Sequence, residues 1–230
     1  MIGITERGDA AINLDWIDWV SSGAPAILIT KNPTKLASLI TSTMNIIVHC
    51  TITGYGGSIL EPNVPKPVQA IEGYNKIIDK IGAERVVLRV DPIIVTPKGI
   101  DRAESIILAA VTRVRISFLD MYDHVKERFT KHGIALPYTT LHASLKQRNN
   151  ALIRLQEIAC LSMIPIDVCG EPGMKCSGCV SKKDCMILGV TPTQVTSIQR
   201  KYCACLSLKK ELLSNKHPCL HGCLYCYWRN

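Results

Sequence analysis

Over the first 170 positions, short apolar runs alternate with longer stretches of helical period. The runs cover 2–5, 26–30, 45–51, 85–90, 114–119 and 164–168, and their branched side chains suit a pleated strand. Val68, Ile71, Ile78 and Ile81 recur at helical spacing after Pro65 and Pro67, and Gly82 supplies a stop. A second helix is predicted over 141–160, with Leu145, Leu152, Leu155 and Ile158 on one side. Strands alternating with helices mark βα units around a parallel sheet. About six such units predict an α/β fold, a partial and open parallel β/α barrel, over 1–170. A cysteine-rich segment over 171–230 follows it.

Active-site groups in such folds collect where the strands end. The ends here are polar: Thr5, Glu6 and Asp9; Thr30 and Lys31; Thr51 and Thr53; Arg89 and Asp91; Asp120; Cys169 and Glu171. One such end marks a turn, but six facing one rim predict a ligand-binding mouth. Arg89, Asp91 and Asp120 suit ligand contacts, and a buried Arg–Asp pair is the structural alternative.

Composition narrows the class. A chain of 230 residues with 47% apolar and 20% charged side chains can bury one substantial core, which excludes disorder. No apolar run approaches the roughly 18 residues of a membrane span, and the first residues carry no export pattern. The expectation is a cytoplasmic protein without a membrane partner. Eleven cysteines in such a chain point to metal or cluster ligation rather than disulfides. Cys50 and Cys160 sit among apolar neighbours as buried thiols do; the other nine lie between Cys169 and Cys226. Charge divides at the same place. Residues 172–230 carry nine Lys or Arg against two acids, whereas the preceding residues carry 18 against 17. Basic neighbours favour ligating thiolates; alternatively, they form a patch for a polyanion such as nucleic acid.

The densest chemistry is Cys219-x-x-x-Cys223-x-x-Cys226, with Tyr225 before the last cysteine. Three thiolates on a 4Fe–4S cluster leave one iron open, whereas a structural cluster usually takes a fourth thiolate. A structural zinc site is closed by four ligands, which His217 or His221 would complete here. A distant thiolate closing a cluster is the third reading. The triplet resembles the cysteine signature of radical S-adenosylmethionine (SAM) enzymes, in most of which it lies near the start of the core domain.

The wider resemblance covers most of the chain. Residues 29–33, 51–56, 61–65 (Glu61-Pro-Asn-Val-Pro65), 84–92 and 116–120, with Cys203-Ala-Cys205 and the final cluster, resemble a family of bacterial and phage proteins ending in C-x-H-G-C-x-Y-C-Y. More distantly the chain resembles the spore photoproduct lyase branch of the radical SAM superfamily. This resemblance implies a circular permutation in which the chain begins at the usual second strand and 164–168 supplies the missing first one. It implies that Asp9, with Thr5 and Glu6, stands where the SAM amino group is bound, although the usual Gly-Gly-Glu is absent. Lys31 matches a lysine that pairs with the SAM carboxylate. Thr51 and Thr53 match polar residues that contact the ribose and carboxylate ends, and Tyr225 packs near the adenine or within its loop.

Six tail cysteines remain: Cys169, Cys176, Cys179, Cys185, Cys203 and Cys205. The run from Cys176 through Cys179 to Cys185 resembles part of an auxiliary-cluster motif of peptide-modifying radical SAM enzymes, whose next cysteine is Gly189 here. An auxiliary 4Fe–4S cluster drawn from these six is expected, with zinc as the alternative. The functional expectation is a radical SAM enzyme supplied by an external one-electron donor and acting on a nucleobase or nucleoside, within DNA. A peptide or small metabolite is the alternative substrate. A non-catalytic iron–sulfur or zinc protein that binds nucleic acid is the alternative of a different class.

Overall fold

The computed structural model describes residues 1–193, 202–206, 208–214 and 219–228. Their elements, in chain order, are β1 (Ile2–Ile4), α1 (Ile17–Ser21), β2 (Ala26–Thr30), α2 (Pro33–Leu39), β3 (Ile46–Thr51) and α3 (Pro67–Ile81). Then follow β4 (Val86–Ile93), α4 (Pro97–Leu108), β5 (Val114–Phe118), α5 (Asp123–Lys131), α6 (Leu145–Leu161), β6 (Ile166–Val168), α7 (Lys182–Ile187) and β7 (Lys209–Glu211). The strands form one sheet in the order β6-β5-β4-β3-β2-β1-β7, with every pairing parallel. This is the α/β architecture expected from the alternating pattern: an open parallel sheet with its strand ends on one rim.

One expectation is overturned. Residues 164–168 do not lie beside β1; β6 pairs with β5 at the far edge. The neighbour of β1 is β7, a Lys-Lys-Glu strand held by backbone bonds from Ile2 N to Leu208 O (2.9 Å) and from Leu212 N to Ile4 O (2.8 Å). A polar edge strand of three residues has no hydrophobic period to announce it. Its ladder partner and the ion pair from Lys209 Nζ to Glu6 Oε1 (2.8 Å) define it instead.

Both faces of the sheet are covered, which explains the unbroken apolar runs. One face, with Leu28, Val48, Leu88, Val90 and Ile116, packs against the helices. The other, with Ile2, Ile4, Ile27, Ile29, Ile47 and Val87, packs against Cys179, Val180, Cys185 and Leu188. The cysteine-rich segment therefore completes a core that the first 170 residues cannot close alone.

Helix phase differs from the apolar pattern. In α3 the buried residues are Ala70, Gly73, Tyr74, Ile77 and Ile81, while Val68 is 70% exposed. A Cβ on Gly73 would stand 2.3 Å from Thr34 N, so a small residue is what lets α2 and α3 approach. The α6 helix starts at Leu145, capped by Ser144, and buries Arg148, Ala151, Leu155 and Ala159. Arg148 is tolerated inside because Glu171 Oε2 accepts from it at 2.9 Å.

Candidate functional site

A cavity of about 730 Å³ opens at the rim where the strands end. Its wall takes Glu6 and Asp9 after β1, Lys31 after β2, Thr51 from β3, Arg89 and Asp91 from β4, Asp120 after β5 and Cys169 after β6. All six polar strand ends thus reach one space. Cys219, Cys223, Tyr225 and Cys226 line the same cavity.

Asp9 fastens this arrangement. Its Oδ1 accepts from Ala11 N (2.8 Å) and Thr30 Oγ1 (2.7 Å), and its Oδ2 from Lys31 N and from His221 Nε2, both at 2.6 Å. Burial pushes the carboxyl up, but the His221 hydrogen bond and charge, helped by Lys31 N and Thr30, bring it below the usual carboxylate range. The carboxylate is saturated by protein donors that join β1, β2 and the cysteine loop. The other ring nitrogen of His221 faces Asn63 O at 3.3 Å. In this arrangement Nε2 of His221 is turned to Asp9 rather than to the cysteine triplet. His217, the other histidine considered as a fourth ligand, lies outside the described residues, as do Arg200, Lys201, Lys216 and Arg229.

Further bonds hold the loop. Leu224 N donates to Leu60 O (3.0 Å), Asn63 Nδ2 to Leu220 O (2.8 Å), and Arg128 Nη1 to Cys226 O (2.7 Å). Cys219 and Cys223 are raised by burial, Cys223 to about 12, with the Lys31 charge opposing the rise at both. These thiols hold their protons unless a cation replaces them, as metal binding does.

Lys31 meets a residue that the spacing did not single out. Its Nζ donates to Glu61 Oε1 and to the Tyr225 hydroxyl, each at 2.8 Å. The Tyr225 hydroxyl in turn donates to Glu61 Oε1, and Thr53 Oγ1 donates to Glu61 Oε2 at 2.7 Å. Burial disfavours the Lys31 charge, but Glu61 and then Cys223 raise its pKa above the ordinary lysine value. Glu61, itself buried, is the hub joining Lys31, Thr53 and Tyr225. Its position at the head of the 61–65 stretch was the available signal. Thr51 reaches the cavity wall, whereas Thr53 acts on it through Glu61. On the next strand Arg89 pairs with Asp91, and Asp91 Oδ1 accepts from Ser117 Oγ at 2.6 Å. Asp120 Oδ1 stands 2.7 Å from His142 Nδ1.

The six remaining cysteines separate. Cys169 Sγ and Cys179 Sγ are 3.4 Å apart, and Cys203 Sγ and Cys205 Sγ are 3.1 Å apart. Cys176 turns away, its Sγ held by Glu171 N (3.1 Å) and Glu171 O (3.3 Å). Cys185 is fully buried against the sheet. Hydrogen bonds from Cys169 and then Cys205, aided by Arg89 and Arg115, pull Cys179 well below the ordinary thiol range despite burial. His49 shares this interior with neither ring nitrogen hydrogen-bonded, and burial followed by the Arg115 charge lowers it to about 3. Among the described residues, no three His, Cys, Asp or Glu side chains already converge as a closed ion site.

Residues 22–228 match the family described as Domain of unknown function (DUF1848). The chain belongs to that family. The DUF1848 match takes in Lys31, Thr51, Thr53, Glu61 and all eleven cysteines, while β1 and Asp9 precede it. No curated protein and no solved structure matches the chain. Among the described residues, no helix is long and apolar enough to cross a membrane.

Proposed function

We propose that this protein is a radical SAM enzyme in which Cys219, Cys223 and Cys226 hold a 4Fe–4S cluster with one open iron. The observation that carries the proposal is that these three thiols line one cavity with Lys31, Thr51, Arg89 and Asp91, while the histidine inside their loop is committed to Asp9. Three cysteines without that fourth donor suit a cluster that keeps one iron for a ligand. A structural zinc ion would require a fourth protein ligand. The ligands of a four-iron cluster stand apart around several metals, so close convergence of three thiols on one point is not required of them.

When bound, the group supplies one-electron reductive cleavage of SAM, with the electron from an external donor, and thereby hydrogen abstraction from a substrate. The chain's own residues bind, orient and exclude water. Lys31 offers the SAM carboxylate a cation at the cavity wall, held in place by Glu61 and Tyr225. The Thr51 hydroxyl supplies a polar contact on the same wall. Within the loop, Leu224 and Tyr225 are buried in the apolar cluster of Tyr55, Leu60 and Phe129, which keeps bulk water from that side. A volume of about 730 Å³ falls within the range of small-molecule sites.

The circular permutation belongs to the same proposal. With β7 as the strand before the cysteine loop, the sheet reads β7 and then β1 to β6 in unbroken order, as a permuted barrel requires. A nucleobase in DNA is the proposed substrate class, supported by the resemblance to a DNA-repair lyase and by the exposed Lys182 and Lys183.

Anaerobic reconstitution with iron and sulfide, followed by SAM and dithionite, tests the reading. Methionine and 5′-deoxyadenosine are the expected products, and the Cys219→Ala/Cys223→Ala/Cys226→Ala variant should form neither. Cleavage retained in that variant overturns the proposal. A colourless protein holding stoichiometric zinc on the triplet favours the non-catalytic nucleic-acid-binding class instead.

A further inference from the structure

The motif that stood out in the sequence, Cys176 through Cys179 to Cys185, does not stay together in the fold. Cys176 commits its sulfur to the Glu171 backbone, and Cys185 is sealed among Ile2, Ile27 and Leu188. Four thiols from three separate segments gather instead. Cys169 follows β6, Cys179 lies in the loop before α7, and Cys203 and Cys205 precede β7. Cys169 pairs with Cys179 and Cys203 with Cys205, and Gly178, the neighbour of Cys179, packs against the Cys205 backbone.

Backbone geometry fixes this gathering independently of the sulfurs. Ser177 N donates to Val168 O (2.8 Å), which brings the Cys179 loop to the end of β6. Leu206 N donates to Val180 O (2.9 Å), which lays the Cys203–Cys205 stretch beside that loop. A Cβ on Gly178 would stand 2.4 Å from Cys205 N and 2.5 Å from Ala204 O, so the two segments touch where one side chain is missing.

Charge is arranged to match. Arg89 and Arg115 act on Cys169 and Cys179, and Lys209 acts on Cys203 and Cys205. Arg115 Nη1 also donates to Cys179 O at 3.1 Å. These cations already pair with Asp91, with Asp167 and Asp184, and with Glu6, and their positive field also favours anionic ligating thiolates.

We propose that Cys169, Cys179, Cys203 and Cys205 form a second, four-thiolate metal centre, distinct from the triplet of the cysteine loop. A tetrahedral ion with metal–sulfur bonds near 2.3 Å sets its thiolates about 3.8 Å apart. Within each pair, now at 3.4 and 3.1 Å, the sulfurs open by about 0.4 and 0.7 Å, and the two pairs close on one another around the metal. The sulfurs open further for an iron–sulfur cluster. Zinc and iron share this thiolate chemistry, and the test separates them. The position gives the centre two consequences. It links residues beside β6 and β7, the two edges of the sheet, which do not pair with each other. Three of its thiols, Cys169, Cys179 and Cys203, face the cavity that the triplet also lines. The centre therefore clasps the open side of the barrel and forms part of the site wall.

The test uses the full chain carrying Cys219→Ala/Cys223→Ala/Cys226→Ala, so that failure of the SAM reading leaves it untouched. Zinc, iron and acid-labile sulfide are measured on anaerobically purified protein. One zinc per chain without sulfide identifies the single ion; iron with sulfide and a visible charge-transfer band identifies a cluster. Adding Cys179→Ser/Cys203→Ser should take either signal to background, while Cys176→Ser and Cys185→Ala should retain it. In unmutated protein, alkylation mapped by mass spectrometry should find Cys169, Cys179, Cys203 and Cys205 protected until a chelator is added. Cys176 should react at the same rate before and after chelation. Metal retained without Cys179 and Cys203, metal lost with Cys176 alone, or unprotected thiols in unmutated protein each overturn the proposal.

Discussion

Replacing Asp9 by Asn takes one acceptor oxygen from the point where β1, β2 and the cysteine loop meet. The Asn carbonyl keeps the Ala11 N and Thr30 Oγ1 bonds, now made by Oδ1 at 2.8 and 2.7 Å. Its amide nitrogen then faces Lys31 N, a donor 2.6 Å from Oδ2, and His221 Nε2, which accepts from it only by changing tautomer and turning Nδ1–H to Asn63 O. The buried Lys31 N–H left without an acceptor costs about 1–3 kcal/mol, and the loss of the charge-assisted His221 bond adds to it. That is a large share of the 5–15 kcal/mol by which domains are typically stable. Urea unfolding under anaerobic conditions should show a lower midpoint with an unchanged slope. The damage should concentrate in the loop. Amide hydrogen exchange over 219–226 should accelerate at least about tenfold, which corresponds to only about 1.4 kcal/mol of lost protection. Asp9→Asn and His221→Ala together should cost less than the sum of the two, because both break the same hydrogen bond. Stability within about 0.5 kcal/mol of the parent, with loop exchange unchanged, would refute the assignment of Asp9 as the tether.

Asp184→Ala should destabilise by about 3–5 kcal/mol, since it leaves Arg113 buried without its carboxylate, whereas Arg115 keeps Asp167 at 3.4 Å. Burial raises the Asp184 carboxyl, but Arg113 and then Arg115 bring it net below the ordinary value of 3.8. Its stabilisation is therefore complete above that value and disappears as pH falls through the lower folded value; acid unfolding should show a limb below about pH 4 that Asp184→Asn lacks. Lys31→Met should keep iron bound after reconstitution yet weaken SAM binding at least about tenfold, read by equilibrium dialysis, the loss of one charge-assisted hydrogen bond being worth about 1.5–3 kcal/mol; unchanged affinity would remove Lys31 from the SAM site. If DNA binds through the tail, reversing Lys182 and Lys183 should flatten the log–log salt dependence by about 0.9 for each phosphate no longer neutralised. Reversing Lys209 should act on folding instead, because its charge is paired with Glu6.

The periodicity of the chain determined the sheet. Six of seven strands stand where branched apolar runs placed them, because strands covered on both faces are predominantly apolar. The polar residues after those runs were legible for the same reason: parallel strands deliver their ends to one rim, so Asp9, Lys31, Thr51, Asp91 and Cys169 meet without any long-range information. Tertiary structure decided what periodicity cannot carry. The β7 strand exists through its ladder to β1, and a Lys-Lys-Glu sequence has no apolar face to reveal that. Small residues such as Gly73 set the helix phase through backbone approach, which hydrophobic periodicity passes over. Glu61, 30 residues beyond Lys31, became a hub once the loop after β3 folded back over the rim. Cys179 met Cys169 and the 204–205 backbone rather than its sequence neighbours Cys176 and Cys185, because separate segments are pressed together where Gly178 has no side chain. Spacing along a chain points to residues that a local turn can gather; residues drawn from the two edges of a sheet are brought together by the packing between them.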